Sequence, residues 1–173
     1  MLPQHYPVEP GILLAGEYPG DRNPAIAKAR IHALVKLGVH TFIDLTTAHD
    51  CLTPYENSLA ELTSETGIPL RRIAAPIPDM SVPATEEIMR SIMAGVRQSI
   101  ASDPAVYIHC WGGIGRTGTV VGCWLRERGF GPDDALEKVQ HLYSTHMPKV
   151  RRHPESPQTR QQKDYIRAWQ GIS

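Results

Sequence analysis

Ala105-Val106-Tyr107-Ile108-His109-Cys110-Trp111-Gly112-Gly113-Ile114-Gly115-Arg116-Thr117-Gly118-Thr119 is the stretch on which the fold turns. Its first four residues are a short apolar run that reads as a buried strand. Val120, Val121, Cys123, Trp124 and Leu125 then share the apolar face of a helix over 119–128, closed by Gly129. Between the two, Gly112, Gly113 and Gly115 let the backbone curl until successive N–H groups point inward, and the helical end near Arg116 adds its positive pole to the same hollow. The amides of Trp111, Gly112, Gly113, Ile114 and Gly115, with the Arg116 side chain, make a cradle for a tetrahedral oxyanion.

Outward from this loop, strand and helix signals keep alternating. Upstream, a Pro- and Gly-rich opening reads as a leader ending in turns at Pro19-Gly20-Asp21, with Ile12-Leu13-Leu14-Ala15 a strand inside it. Asn23-Pro24 opens a helix with Ile26, Ala29, Ala33, Leu34 and Leu37 on one face and Gly38 as its stop. A strand over 39–45, a polar loop around His49-Asp50-Cys51, a helix over 55–66 ended by Gly67, and a short strand over 70–74 follow. Pro76, Pro78 and Pro83 make the next stretch a loop, because proline lacks a ladder donor. Thr85-Glu86-Glu87 then starts a helix with an Ile88, Ile92, Val96, Ile100 stripe. Downstream, Gly131-Pro132-Asp133-Asp134 starts another that runs to about His141. This alternation predicts an α/β fold: one domain over 1–173, its central, largely parallel twisted sheet flanked by helices.

Composition narrows the partners. A 173-residue chain with 41% hydrophobic and 21% charged residues suits one globular core, and 18 basic side chains against 18 acidic ones leave no nucleic-acid footprint and no polybasic membrane patch. No apolar run approaches the ~20 residues of a membrane span, and Met1-Leu2-Pro3-Gln4-His5-Tyr6-Pro7 lacks the features of a secretory signal, so a cytoplasmic location is expected. Cys51, Cys110 and Cys123 are odd in number and widely spaced, which fits neither a disulfide framework nor a zinc motif. The histidines add no ligand spacing, so neither metal nor cofactor is expected; His141 and His146 read as surface residues. Nothing in the sequence sets an oligomeric state.

Cys110 lies at the mouth of the cradle, where inward N–H groups, a helix end and a guanidinium favour the nucleophilic thiolate. Arg116 offers a planar fork that holds two oxygens of one anion, which a lysine does not. A glycine-rich turn with an incidentally buried cysteine would explain none of His109, Arg116 and Thr117. Cysteine followed six positions later by arginine, within His109-Cys110-Trp111-Gly112-Gly113-Ile114-Gly115-Arg116-Thr117, resembles the signature of the cysteine-dependent tyrosine and dual-specificity phosphatases, and is most similar to their kinase-associated branch. That resemblance implies a phosphatase-like catalytic domain in which Cys110 forms a phosphocysteine intermediate, Thr117 steadies the departing thiolate and His109 orders the loop.

Such chemistry needs a proton donor outside the loop. Asp79, in Pro76-Ile77-Pro78-Asp79-Met80-Ser81-Val82-Pro83, resembles the family's acid loop, although aspartate after proline is also common in plain turns; Asp44 and Asp50 are its rivals, and Asp103 lies too close to the strand leading into the site. Glu155-Ser156-Pro157-Gln158-Thr159-Arg160-Gln161-Gln162 resembles the segment that positions hydrolytic water, which puts that role on Gln162 with Gln158 as a second participant. The same residues also read as a helix start, with Ser156-Pro157 as cap and first turn and capping-box spacing from Thr159 to Gln162. Cys123 reads as core, Cys51 as a loop thiol that could protect Cys110, Trp111 as pocket wall or core, and Arg71, Arg72, Arg151 and Arg152 as solvated charges.

The longer domain and added phosphotyrosine loop of larger members have no counterpart here. A compact pocket follows, admitting phosphotyrosine and also phosphoserine or phosphothreonine on a protein, or a small phosphorylated molecule. Inositol or lipid phosphates, and a non-catalytic phosphate-binding module, are the alternatives. A sulfurtransferase or arsenate reductase would share the cysteine loop but needs no acid at Asp79.

Overall fold

The strand before the glycine-rich loop lies at the centre of the molecule. In the computed structural model, which describes residues 1–171, the chain runs β1 (His5–Glu9), β2 (Leu13–Gly16), α1 (Pro24–Val35), β3 (Val39–Asp44), α2 (Glu56–Thr66), β4 (Arg71–Ala74), α3 (Glu86–Ser102), β5 (Ala105–His109), α4 (Gly115–Glu127), α5 (Pro132–His146) and α6 (Arg160–Ala168). The five strands form one sheet in the order β1-β2-β5-β3-β4, parallel except where β1 meets β2. The expected single α/β domain with a largely parallel sheet is the fold observed.

Every residue of β5 is buried, and the period-two alternation of a strand divides its side chains between two cores. Val106 and Ile108 pack with Met93 and Val96 of α3, Val120 and Val121 of α4, and Val139 of α5. Ala105 and Tyr107 face the other way, onto Ile31 and Leu34 of α1 and Leu59 and Leu62 of α2. Helices therefore cover both faces of the sheet, each fully buried aliphatic side chain contributing about 1.5–3 kcal/mol.

Two boundaries depart from the sequence reading. β1 replaces part of the expected leader: His5, Tyr6 and Pro7 pair with Gly16, Ala15 and Leu14, with an irregularity between Pro7 and Glu9. An edge strand tolerates the missing donor of Pro7, and buried Tyr6 and Val8 anchor it. α4 starts at Gly115, next to the helical end expected near Arg116, so its first turn is itself part of the cradle. α5 runs past His141 to His146, because Leu142 and Tyr143 extend the buried face of Ala135 and Val139. No helix among the described residues is long and apolar enough to cross a membrane.

Candidate active site

Gly16 and Asp44 both lie opposite His109, and Ala74 lies opposite Asp44, so β2, β3, β4 and β5 end level at their carboxyl edges. The four following loops open on the same side of the sheet, where ligands of parallel sheets bind. These loops carry Glu17, Asp50, Asp79 and the cradle.

The cradle is held from outside, carbonyl by carbonyl. The Cys110 carbonyl accepts from His109 Nδ1 (3.1 Å), that of Trp111 from the Tyr18 N–H (2.9 Å), that of Gly112 from Lys149 Nζ (2.8 Å) and that of Ile114 from Ser156 Oγ (2.7 Å). A peptide plane whose oxygen is held outward turns its N–H inward. The Gly113 N–H, on the plane whose oxygen Lys149 holds, donates to Cys110 Sγ at 3.3 Å. Two glycines are required by space as well as by curl. Gly113 has φ +73°, and a Cβ there would come within 2.4 Å of the Gly16 backbone; one on Gly115 would come within 2.7 Å of Gln158 Oε1.

His109 is fully buried. Since a carbonyl only accepts, Nδ1 carries the proton, and Nε2 accepts from Tyr55 Oη at 2.7 Å. Burial pushes the imidazole below its ordinary pKa, which keeps it neutral.

Arg116 is buried too, but its fork is not empty. Nη1 and Nη2 donate to the two carboxylate oxygens of Asp50 at 2.9 and 2.7 Å, and Nη1 also donates to the Ile77 carbonyl at 3.1 Å. The Arg116 bonds hold the Asp50 carboxyl below the usual carboxylate range. Nε has no hydrogen-bond partner among the described residues. The Nε–Nη2 edge is thus the one left for an anion, and the end of the fork belongs to Asp50. Asp79, with 58% of its side chain exposed, reaches the same Nη2 at 3.3 Å and accepts from the Met80 N–H at 2.9 Å.

Of the other expected residues, Thr117 is buried with no hydrogen-bond partner for Oγ1 among the described residues, so no bond to Cys110 is formed. Gln162 Oε1 accepts from the Gln158 and Thr159 N–H groups, both at 3.1 Å, and its Nε2 donates to the Ser81 carbonyl at 3.2 Å. The oxygen is therefore fully used, while Nε2 keeps one N–H beyond its bond to Ser81: the side chain closes the Thr159 capping box of α6 and ties that helix to the loop of Asp79. Ser156 is not the cap, because its hydroxyl is spent on Ile114 and α6 starts only at Arg160. Gln158 lines the cavity above Cys110.

That cavity, of about 410 Å³, is bounded by Cys110, Trp111, Asp79, Met80, Lys149 and Gln158. Trp111 is a wall rather than core, with 63% of its surface exposed. A larger hollow of about 630 Å³, which Trp111 also lines, includes Cys51 but not Cys110. Cys51, Cys110 and Cys123 are free thiols, and burial pushes Cys123 well above the ordinary thiol range.

Both rival acids are engaged: Asp44 is buried under bonds from Thr46 and Arg72, and Asp50 is bound by Arg116. Asp103 pairs with Arg71. Arg71 and Arg72 are thus ion-paired within the fold, Arg151 is exposed and Arg152 lines the cavity rim. Sequence reasoning missed Tyr55, Ser156 and Lys149 and misjudged Asp50, since each reaches the cradle through a long-range contact. Among the described residues, no group of three or more His, Cys, Asp or Glu side chains is placed to hold a metal ion.

A parallel sheet carrying an anion cradle at its carboxyl edge, with a thiol on the floor and an arginine and an aspartate meeting above it, defines the class of cysteine-dependent tyrosine and dual-specificity phosphatases. Residues 7–166 match the family model described as "PTP-SAK: Swiss Army Knife protein, DSP-PTPase phosphatase domain", and the chain belongs to that family. It is a phosphatase that acts on phosphorylated substrates through an active-site cysteine. Solved structures share the fold at low identity. Tk-PTP in its active form is 21% identical, with a TM-score of 0.69 and 98% of each chain covered. The kinase associated phosphatase with its catalytic cysteine changed to serine is 17% identical, with a TM-score of 0.71, over 95% of this chain and 90% of that one. P. aeruginosa TpbA in complex with phosphotyrosine is 18% identical, with a TM-score of 0.64, over 95% and 83%.

Proposed function

We propose that this chain hydrolyses phosphate monoesters on proteins, phosphotyrosine first and phosphoserine or phosphothreonine second, through a phosphocysteine on Cys110. In the first step Cys110 Sγ attacks phosphorus, the bond to the leaving oxygen breaks, and Asp79 gives that oxygen its proton. The cradle amides and the free edge of Arg116 hold the phosphoryl oxygens as charge develops on them. In the second step water attacks phosphorus, Asp79 takes its proton, and the S–P bond breaks to return the thiolate, which the unpartnered Thr117 hydroxyl would steady. Gln158, at the cavity wall, and Gln162, which keeps one Nε2 proton beyond its bond to Ser81, are the two amides suited to placing that water.

The observation that carries this reading is the Gly113 N–H directed at Cys110 Sγ beneath the Asp79–Arg116 pair. Phosphotyrosine, the ligand of the TpbA complex, suits a cavity with a buried floor and an exposed tryptophan wall. Three free thiols suit a reducing compartment, hence a cytoplasmic location, and 1–173 would act as one dual-specificity-phosphatase-like catalytic domain.

The test is hydrolysis of aryl phosphates by wild type, Cys110→Ser and Asp79→Asn. Cys110→Ser is expected to lose turnover altogether, and wild type to yield a trapped radiolabelled phosphoenzyme. Asp79→Asn should lose about a hundredfold on phenyl phosphate. Its loss on p-nitrophenyl phosphate should be smaller, because that leaving group departs without a proton. Wild type that binds phosphopeptides yet turns over no substrate would mark a binding module instead.

A further inference from the structure

Three of the four outward anchors of the cradle are fixed parts of the framework: a ring under the sheet edge, a backbone N–H and a buried serine. The fourth is a lysine. Lys149, in the short turn Pro148–Arg151 after α5, donates from Nζ both to the Gly112 carbonyl at 2.8 Å and to Glu17 Oε2 at 2.7 Å. Its own N–H bonds the Gln4 side chain at 3.2 Å, and the Gln4 N–H bonds Glu17 Oε1 at 2.9 Å. Arg30 Nη2 donates to the same Glu17 oxygen at 2.9 Å. Glu17 is therefore held by Gln4, just ahead of β1, and by Arg30 of α1, and it holds the lysine.

The peptide plane that Lys149 grips is the one plane of the cradle flanked by glycine on both sides. With no Cβ on either residue, rotating it meets little steric resistance, so its orientation needs an outside hold. Rotated, it would withdraw the N–H from Cys110 Sγ and turn a carbonyl oxygen toward the thiolate.

We propose that Lys149 is a positioning residue for the phosphatase reaction: it locks the Gly112–Gly113 plane so that the Gly113 N–H stays on Cys110 Sγ, and Glu17 sets the lysine in place. This rests on the phosphatase reading above. Lys149 acts through the backbone, although it also borders the cavity, and the two roles separate by experiment.

Full-length protein in a Cys51→Ser background is assayed on p-nitrophenyl phosphate, and alkylation of Cys110 by iodoacetamide is followed across pH by mass spectrometry. Lys149→Met is expected to lower kcat about ten- to a hundredfold with a smaller change in KM. It should also move the alkylation profile to higher pH, because the thiolate loses its Gly113 N–H. Lys149→Arg, which keeps a cationic donor, should restore most of both, and Glu17→Gln should shift both partway. A Lys149→Met protein with raised KM and an unmoved alkylation profile overturns the proposal, since the lysine would then only touch substrate. If that variant does not fold, an unmoved profile in Glu17→Gln overturns it equally. Failure of wild type to turn over any aryl phosphate brings down the phosphatase reading itself, a result distinct from either.

Discussion

Arg116 is the residue whose role changes most between sequence and structure. Its spacing from Cys110 and its fork geometry mark it as the anion clamp, yet the end of that fork is taken by Asp50, and only the Nε–Nη2 edge remains. The contact spans 66 residues, and Asp50 arrives there because the turn Ala48–Asp50 is closed by a reciprocal Thr47–Asp50 cap. Sequence spacing carries no signal for such a pairing, whereas Cys110, the glycines and Arg116 are legible because they share one loop whose curvature dictates residue type. Asp50→Ala would leave a buried guanidinium without its counter-charge, a loss of about 3 kcal/mol. Urea unfolding should show that loss and a smaller one for Asp50→Asn, whose amide oxygen still accepts. Both variants should bind aryl phosphate more weakly, because Arg116 is no longer aimed; an Asp50→Ala protein as stable as wild type would contradict the pairing.

At the scale of elements, periodicity and capping signals located ten of the eleven helices and strands named above, and the exception has a physical cause. β1 carries Pro7 and lies between Pro3 and Pro10, the punctuation of a loop, and only its place at the sheet edge lets it pair. The start of α6 was legible as a Thr159–Gln162 capping box, but not the use of Gln162 Nε2 on the Ser81 carbonyl, which couples the helix to the loop of Asp79. Two substitutions divide these functions. Gln162→Ala removes the cap and the tether together, with an expected cost of about 1 kcal/mol and a lower kcat. Gln162→Glu keeps an acceptor at the cap and sets a carboxylate against the Ser81 carbonyl. It should hold Tm near wild type while kcat falls, with Asp79 less well placed. Equal kcat in Gln162→Glu and wild type would show that the tether does not matter to the acid.

For the whole molecule, the sequence fixes neither the order of strands nor which side chains the site shares with the core, since both follow from long-range pairing. Because β5 is central, His109 at its carboxyl end is buried between the cradle and Tyr55, and stability becomes coupled to pH through the site itself. Burial puts the folded pKa of His109 below its ordinary value of 6.5, so on acidification the unfolded chain takes up this proton first. Its contribution is fully present above that value and is lost as pH falls from there toward the folded pKa, at a limiting slope of about 1.4 kcal/mol per pH unit. Asp50, held low by Arg116, adds a second loss that begins only as pH falls through the ordinary carboxylate value of 3.8. Urea unfolding between about pH 8 and pH 5 should therefore show falling stability before any carboxylate titrates. His109→Asn should lower stability throughout that range and flatten its pH dependence. A wild-type curve already flat from pH 8 to pH 5 would mean that His109 takes up its proton equally in both states, and that the ring is not held neutral beneath the cradle.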